Sequence, residues 1–190
     1  IGPSIRLEIE AAAAGVLFWQ GVGVSLSSSG PINLALTILW VVALVNAFNM
    51  IDNHDGIAAS VAAMCTLGTA AVAASSGYYL VASFSLAVAG ACLGFLWHNK
   101  PPATIFLGDA GSLFLGYCLG ASALLAYDGA PAGWGRSGAI LVLGYPAFDL
   151  FFVVITRLRD GRKVSQGGKD HTNHRIASVL KCQTRTVLLV

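Results

Sequence analysis

Six apolar runs constrain this chain more than any other feature. Residues 9–26, 32–47, 57–74, 78–97, 111–127 and 137–156 each carry at most one charged residue. A bilayer core about 30 Å thick is crossed by roughly 17–25 helical residues, which is the length of these runs. The second is short and reads as extending into the polar motif that follows it. Only 11% of the chain is charged, against about 25% for a soluble domain. Six such runs in succession argue against a soluble all-α core. The fold expected is an all-α, polytopic membrane helix bundle of about six transmembrane helices, with TVLLV at the end beginning a seventh. Abundant Gly and Ala suit helices packed closely in lipid. The four cysteines are scattered without CxxC spacing and read as small packing residues.

Charge sets the orientation. Residues 157–185 hold eight of the eleven Lys and Arg against two acids. By the positive-inside bias this loop belongs in the cytoplasm. Counting back places 1–8, 48–56 and 98–110 there too, and ten of the eleven basic residues then lie inside, leaving only Arg136 outside. All four histidines (His54, His98, His171, His174) and Asp52, Asp55 and Asp109 fall on this same side. The outer connections, SSSGP, SSG and DGAPAGWGR, are nearly featureless. That segregation suits an enzyme with a cytosolic, water-soluble substrate.

Three cytoplasmic motifs carry candidate chemistry. In NAFNMIDNHDG, residues 46–56, the polar residues Asn46, Asn49, Asp52 and Asp55 recur at every third position. At about 100° per residue they form a slanting stripe with neighbours touching, and 3₁₀ geometry would eclipse them. Their hard oxygens suit Mg²⁺ or Mn²⁺, which are held by one or two carboxylates plus substrate phosphates. Capping of a helix end by Asp and Asn is the simpler alternative. In FLGDAGSLFLG, residues 106–116, Gly108 and Gly111 flank Asp109 ahead of an apolar helix. Such a start presents free N–H groups and a positive dipole end to phosphate, although Asp109 or Ser112 could equally cap the span. In KDHTNHRIAS, residues 169–178, His171, His174, Arg175 and Lys169 meet within seven positions, a grouping that suits phosphate. A zinc site is the weaker reading with two His and no nearby Cys, and a solvated basic loop explains the Arg and Lys but not the paired histidines. Asp149 lies inside the sixth run, on roughly the face of Arg157, where a paired structural role is favoured over a functional one. In WHNKPP, residues 97–102, Trp97 is expected at the membrane interface and Asn99 exposed, ahead of a stiff turn.

Together these residues resemble the polyprenyl-phosphate N-acetylhexosamine-1-phosphate transferases, glycosyltransferase family 4. The family pattern NAxNxxDGxDGLA is similar to Asn46-Ala-Phe-Asn49-Met-Ile-Asp52-Asn-His-Asp55-Gly56-Ile-Ala, with Asn53 and His54 in place of Gly and an apolar residue. FxGDxGSxxLG is similar to residues 106–116, and HxHHRL of the UDP-GlcNAc branch to His171-Thr-Asn173-His174-Arg175-Ile, with Asn173 replacing the middle His. The family's acidic Asp-Asp motif belongs upstream, and no adjacent Asp pair occurs here. The expectation is therefore a C-terminal portion whose N-terminal helices lie outside the sequence, inactive alone.

The resemblance implies a Mg²⁺-dependent enzyme, with Mn²⁺ as an alternative. It would transfer HexNAc-1-phosphate, preferably GlcNAc-1-phosphate, from a UDP-sugar to polyprenyl phosphate and release UMP, the first membrane step of cell-envelope glycan synthesis. Asp52, Asp55, Asp109, His171 and His174 would be catalytic. Asn46, Asn49, Asn99, Phe106, Gly108 and Arg175 would bind substrate, with Phe106 stacking on the uracil. Asp109, Asn49 and Asp52 would hold the metal. The expected domain is a single transmembrane catalytic unit over 1–190 with a basic cytoplasmic loop at 157–186. Expected partners are the UDP-N-acetylhexosamine, polyprenyl phosphate and the bilayer, without nucleic acid, and with a homodimer as the candidate assembly. The expected location is the bacterial inner membrane, with the site facing the cytoplasm. The alternatives are the phospho-MurNAc-pentapeptide transferase reaction, a transporter for a cytosolic anion, and a lipid-binding scaffold.

Overall fold

The computed structural model describes residues 2–130, 134–162 and 172. Among the described residues seven helices follow in chain order: α1 (Pro3–Trp19), α2 (Gly30–Ile51), α3 (Ile57–Ser75), α4 (Tyr79–Asn99), α5 (Gly108–Gly129), α6 (Trp134–Leu141) and α7 (Gly144–Arg159). No strand occurs among the described residues. Helices α2, α3, α4 and α5 are each long and apolar enough to cross a membrane. Large apolar side chains such as Leu39, Met64 and Leu80 project outward from them, as a bundle bathed in lipid requires. The chain is a polytopic membrane helix bundle.

Helix α2 is the central element. It packs on α1, α5 and α7, while α3 pairs with α4 and also touches α5. The main core joins Leu44, Phe48 and Ile51 of α2 to Ile57, Val61 and Ala62 of α3 and to Leu115 and Leu119 of α5. The α2–α5 contact is close because Gly116 faces Val45. A Cβ added at Gly116 would sit 2.6 Å from the Val45 Cα and 3.0 Å from the Leu44 carbonyl oxygen. Small residues at helix crossings in lipid allow such backbone approach. One turn further on, Trp40 Nε1 donates to the Gly120 carbonyl at 3.1 Å.

Several boundaries differ from the sequence expectation, among them the end of α1 at Trp19 rather than 26, and two have a clear physical reason. Helix α1 begins at Pro3 rather than residue 9. Proline's fixed φ and missing N–H suit a first helical turn, and the polar residues behind it find partners on α2. The run 137–156 is also not one span but α6 and α7, parted at Val142 and Leu143. Pro146 accounts for the break: it has no N–H to give the Val142 carbonyl four residues back, and its ring would collide with it. That carbonyl instead accepts the Cys65 thiol at 3.0 Å, and the Val142 side chain rests where α3 has Gly68. Cys65, Cys92 and Cys118 are buried free thiols, as packing residues would be.

Candidate functional site

The polar residues gather at one end of the bundle. Helix α2 runs four residues past the expected boundary at 47 and reaches Ile51, so Asn46 and Asn49 project from its last turns and Asp52 is its C-cap. Two side chains from α1 meet them. Arg6 Nη2 donates to Asn46 Oδ1 at 2.7 Å and Nη1 to Asn49 Oδ1 at 3.1 Å. Asn46 Nδ2 donates to Glu10 Oε2 at 2.6 Å and to the Val42 carbonyl at 2.9 Å. Arg6 and Glu10 pair across one turn of α1 at 3.3 Å. On its other side, Asn49 Nδ2 donates to Asp109 Oδ1 and to Ser112 Oγ, both at 3.0 Å.

Asp52 and Asp109 form the acidic centre. Gly108 takes a left-handed φ of +62° at the start of α5, and its backbone N–H lies near enough to Asp52 to favour the charged carboxylate. Burial pushes Asp52 up to about 6; the nearby Asp109 charge adds to the rise, and the Gly108 N–H works against it. A carboxylate made reluctant to ionise by its surroundings, beside a second carboxylate, is a common mark of a functional site. Asp109 itself is exposed.

Asp55 and Asn99 hold the facing loop. Asp55 Oδ2 accepts the Ala103 N–H at 3.0 Å. Asn99 is 4% exposed, not exposed as expected. Its Oδ1 accepts the Gly56 N–H at 3.0 Å and its Nδ2 donates to the Ile105 carbonyl at 2.8 Å. Gly56 has φ +78°, and a Cβ there would press on Leu96 at 3.3 Å, so this turn requires glycine. The reason for the burial is physical: the turn's N–H and the loop's carbonyl face inward, and one amide satisfies both. Phe106, by contrast, is 74% exposed at the rim. His171, His174 and Arg175 lie outside the described residues. Between them Thr172 is described, and it donates its N–H to Asp149 Oδ1 at 2.9 Å and its hydroxyl to the same atom. Asp149, fully buried in α7, is the acceptor of both.

With the geometry in place, comparison with known proteins gives the family. The model described as Glycosyl transferase family 4 matches residues 2–127. The chain belongs to this family. It is 38% identical over 155 residues to a protein of Bacillus subtilis named probable undecaprenyl-phosphate N-acetylglucosaminyl 1-phosphate transferase, covering 82% of this chain and 43% of that one. It is 32% identical over 179 residues to the decaprenyl-phosphate N-acetylglucosaminephosphotransferase of Mycolicibacterium smegmatis, covering 83% and 44%. A phospho-N-acetylmuramoyl-pentapeptide-transferase of Clostridium botulinum is 44% identical over 92 residues, 48% of this chain and 28% of that one. The chain thus spans less than half the length of these relatives.

Within this glycosyl transferase family 4 chain Asn49 bonds Asp109 directly and Arg6 links Asn46 to Asn49, with Asp52 and Gly108 at the same end and Asp55 and Asn99 in the adjoining loop. Sequence reading missed Arg6, Glu10 and the partnership of Ser112. A signal existed: Arg6 and Glu10 stand four apart, hence on one helix face, and Arg6 lies in the segment 1–8 assigned to the same side as the motifs. Asn49 turns its carbonyl oxygen to Arg6 and its NH₂ to Asp109. As for a metal, no cluster of three or more His, Cys, Asp or Glu occurs among the described residues. The two coupled carboxylates, Asp52 and Asp109, fit the pattern of Mg²⁺, which takes one or two carboxylates and completes its shell with water and substrate phosphate.

Proposed function

We propose that the protein transfers GlcNAc-1-phosphate from UDP-GlcNAc to polyprenyl phosphate, releasing UMP, at the cytoplasmic face of a bacterial membrane. The observation that supports this reading is the Asn49–Asp109 bond between α2 and α5, at the helix end that also carries Asp52. Two carboxylates there match a reaction between two phosphate groups, one of them tethered to lipid. A phosphate oxygen of the acceptor attacks the β-phosphorus of the UDP-sugar. The bond from that phosphorus to the bridging oxygen breaks, and UMP leaves with both of its electrons. A Mg²⁺ or Mn²⁺ ion held by Asp52 and Asp109 would neutralise the diphosphate. Such catalysis is mostly positioning and charge stabilisation.

The chain's own residues supply the frame. The first turn of α5 beyond Gly108 offers N–H groups toward phosphate, and Asn49 orients Asp109. Asp55 fixes the 100–107 loop, which presents Phe106 for stacking on the uracil. His171, His174 and Arg175 hold the diphosphate or the sugar. The positive-inside bias supports the cytoplasmic facing, and the names of the Bacillus and Mycolicibacterium relatives support the GlcNAc donor. The test uses the full-length protein in membranes with labelled UDP-GlcNAc, polyprenyl phosphate and Mg²⁺. Lipid-linked sugar phosphate and UMP should appear, and Asp109→Ala should abolish them. Uptake of nucleotide sugar without lipid product would point to a transporter instead.

A further inference from the structure

We infer that Arg6 is a positioning residue of this site, acting through Asn49 to fix the carboxylate of Asp109; the inference rests on the transfer reaction proposed above. The guanidinium spans two amide oxygens, Asn46 Oδ1 and Asn49 Oδ1, at 2.7 and 3.1 Å. These sit three residues apart on one helix face, a spacing the planar fork of Arg bridges and the point charge of Lys does not. Arg has no acceptor and a carboxylate no donor. Asn49 therefore has one satisfactory orientation, with its oxygen toward Arg6 and its NH₂ toward Asp109 and Ser112. A flipped amide would set N–H against N–H on one side and oxygen against oxygen on the other.

Glu10 completes the device. It lies within 3.3 Å of Arg6 Nε and takes the Asn46 N–H at 2.6 Å, so Arg6 is held between its own helix and α2. The chain of contacts then runs Glu10, Arg6, Asn49, Asp109, from α1 through α2 to α5. It has two effects on a cation at the acidic centre. Asp109 Oδ1 is pinned by Asn49, which aims the carboxylate. The positive charge of Arg6 lies on the far side of Asn49, which keeps a cation off the amide and on Asp52 and Asp109. Groups that orient a metal-binding carboxylate typically change metal affinity about 10–100-fold when lost.

The test is a double-mutant cycle on the full-length protein in nanodiscs, read by Mn²⁺ binding in electron paramagnetic resonance and by turnover against Mg²⁺ concentration. Arg6→Ala and Asn49→Ala should each weaken Mn²⁺ binding roughly tenfold or more. Each should also shift the Mg²⁺ activation curve to higher concentration. The double variant should be no weaker than the worse single one, because both remove the same link. Arg6→Lys should fall between wild type and Arg6→Ala. Losses that multiply, or Mn²⁺ binding by Arg6→Ala within twofold of wild type, would overturn the inference. Should Arg6→Ala fail to fold, Arg6→Lys decides: weakened Mn²⁺ binding with wild-type melting supports the role, and wild-type binding refutes it. Wild-type protein that binds Mn²⁺ but forms no lipid-linked product overturns the proposed reaction and leaves this positioning role standing.

Discussion

Replacing Gly116 by Ala tests whether the α2–α5 contact sets the site. The added Cβ would lie 2.6 Å from the Val45 Cα and 3.1 Å from the Val45 nitrogen, all of it backbone that cannot rotate away. Carbon atoms in contact settle at about 3.5–4.0 Å, so the helices must part by roughly 1 Å. Asn49 and Asp109 lie one to two turns along the same pair of helices, joined at 3.0 Å. A comparable parting there takes that bond beyond hydrogen-bonding range. Overpacking costs about 1–3 kcal/mol in stability, and a misplacement of about 1 Å in a site can cost about 100-fold in rate. Gly120→Ala is the internal control. One turn away on the same face, its Cβ would meet Leu44 Cδ1 at 3.5 Å, an ordinary contact. The assay pairs thermal melting in detergent with turnover by the full-length protein. Gly116→Ala should melt earlier and turn over far more slowly, whereas Gly120→Ala should match wild type in both. Equal behaviour of the two variants would refute the claim that this close approach positions the carboxylates.

Other outcomes follow from single contacts. Because Asp52 ionises only near pH 6, Mn²⁺ binding should weaken as pH falls through 6 and be full above it, and Asp52→Asn should flatten that dependence in a titration. The same raised value means that Asp52 favours the metal-free fold at low pH and that this contribution is lost as pH rises through about 6, which melting against pH can follow. Asn99→Ala strands the buried Gly56 N–H and the Ile105 carbonyl, at about 1–3 kcal/mol for each group left unpaired. Asn99→Asp, which keeps the acceptor for Gly56, should melt between that variant and wild type. Asp149→Ala removes the acceptor of Thr172 and should melt earlier than Asp149→Asn, which keeps an acceptor oxygen.

The bundle was legible because lipid imposes a simple length rule, and the starts of α3 and α4 fall within a residue of the expected 57 and 78. The stripe of Asn46, Asn49 and Asp52 was legible because helical spacing alone puts those residues on one face. The exposure expected for Asn99 was not, since nothing in WHNKPP reveals that a turn 43 residues earlier points an N–H at it. The break at Val142 could have been read from Pro146, but a long apolar run overrode that local signal. Arg6 was overlooked for a related reason: a single charge near the start of a greasy segment reads as solvated until its partners on another helix are known.

The Arg6–Glu10–Asn46 group also fixes how deep the site begins. Asn46 precedes the cap Asp52 by six residues, and at about 1.5 Å of rise per residue it lies roughly 9 Å further toward the middle of the bundle. The polar groups therefore form a notch cut into the slab rather than a patch upon it. A headgroup tethered to hydrocarbon need not be lifted into bulk water to meet its reaction partner. In the proposed reaction the water-soluble donor would come down to it instead, so partitioning of the acceptor into the interface, and with it the thickness and headgroup charge of the surrounding bilayer, would become a determinant of rate.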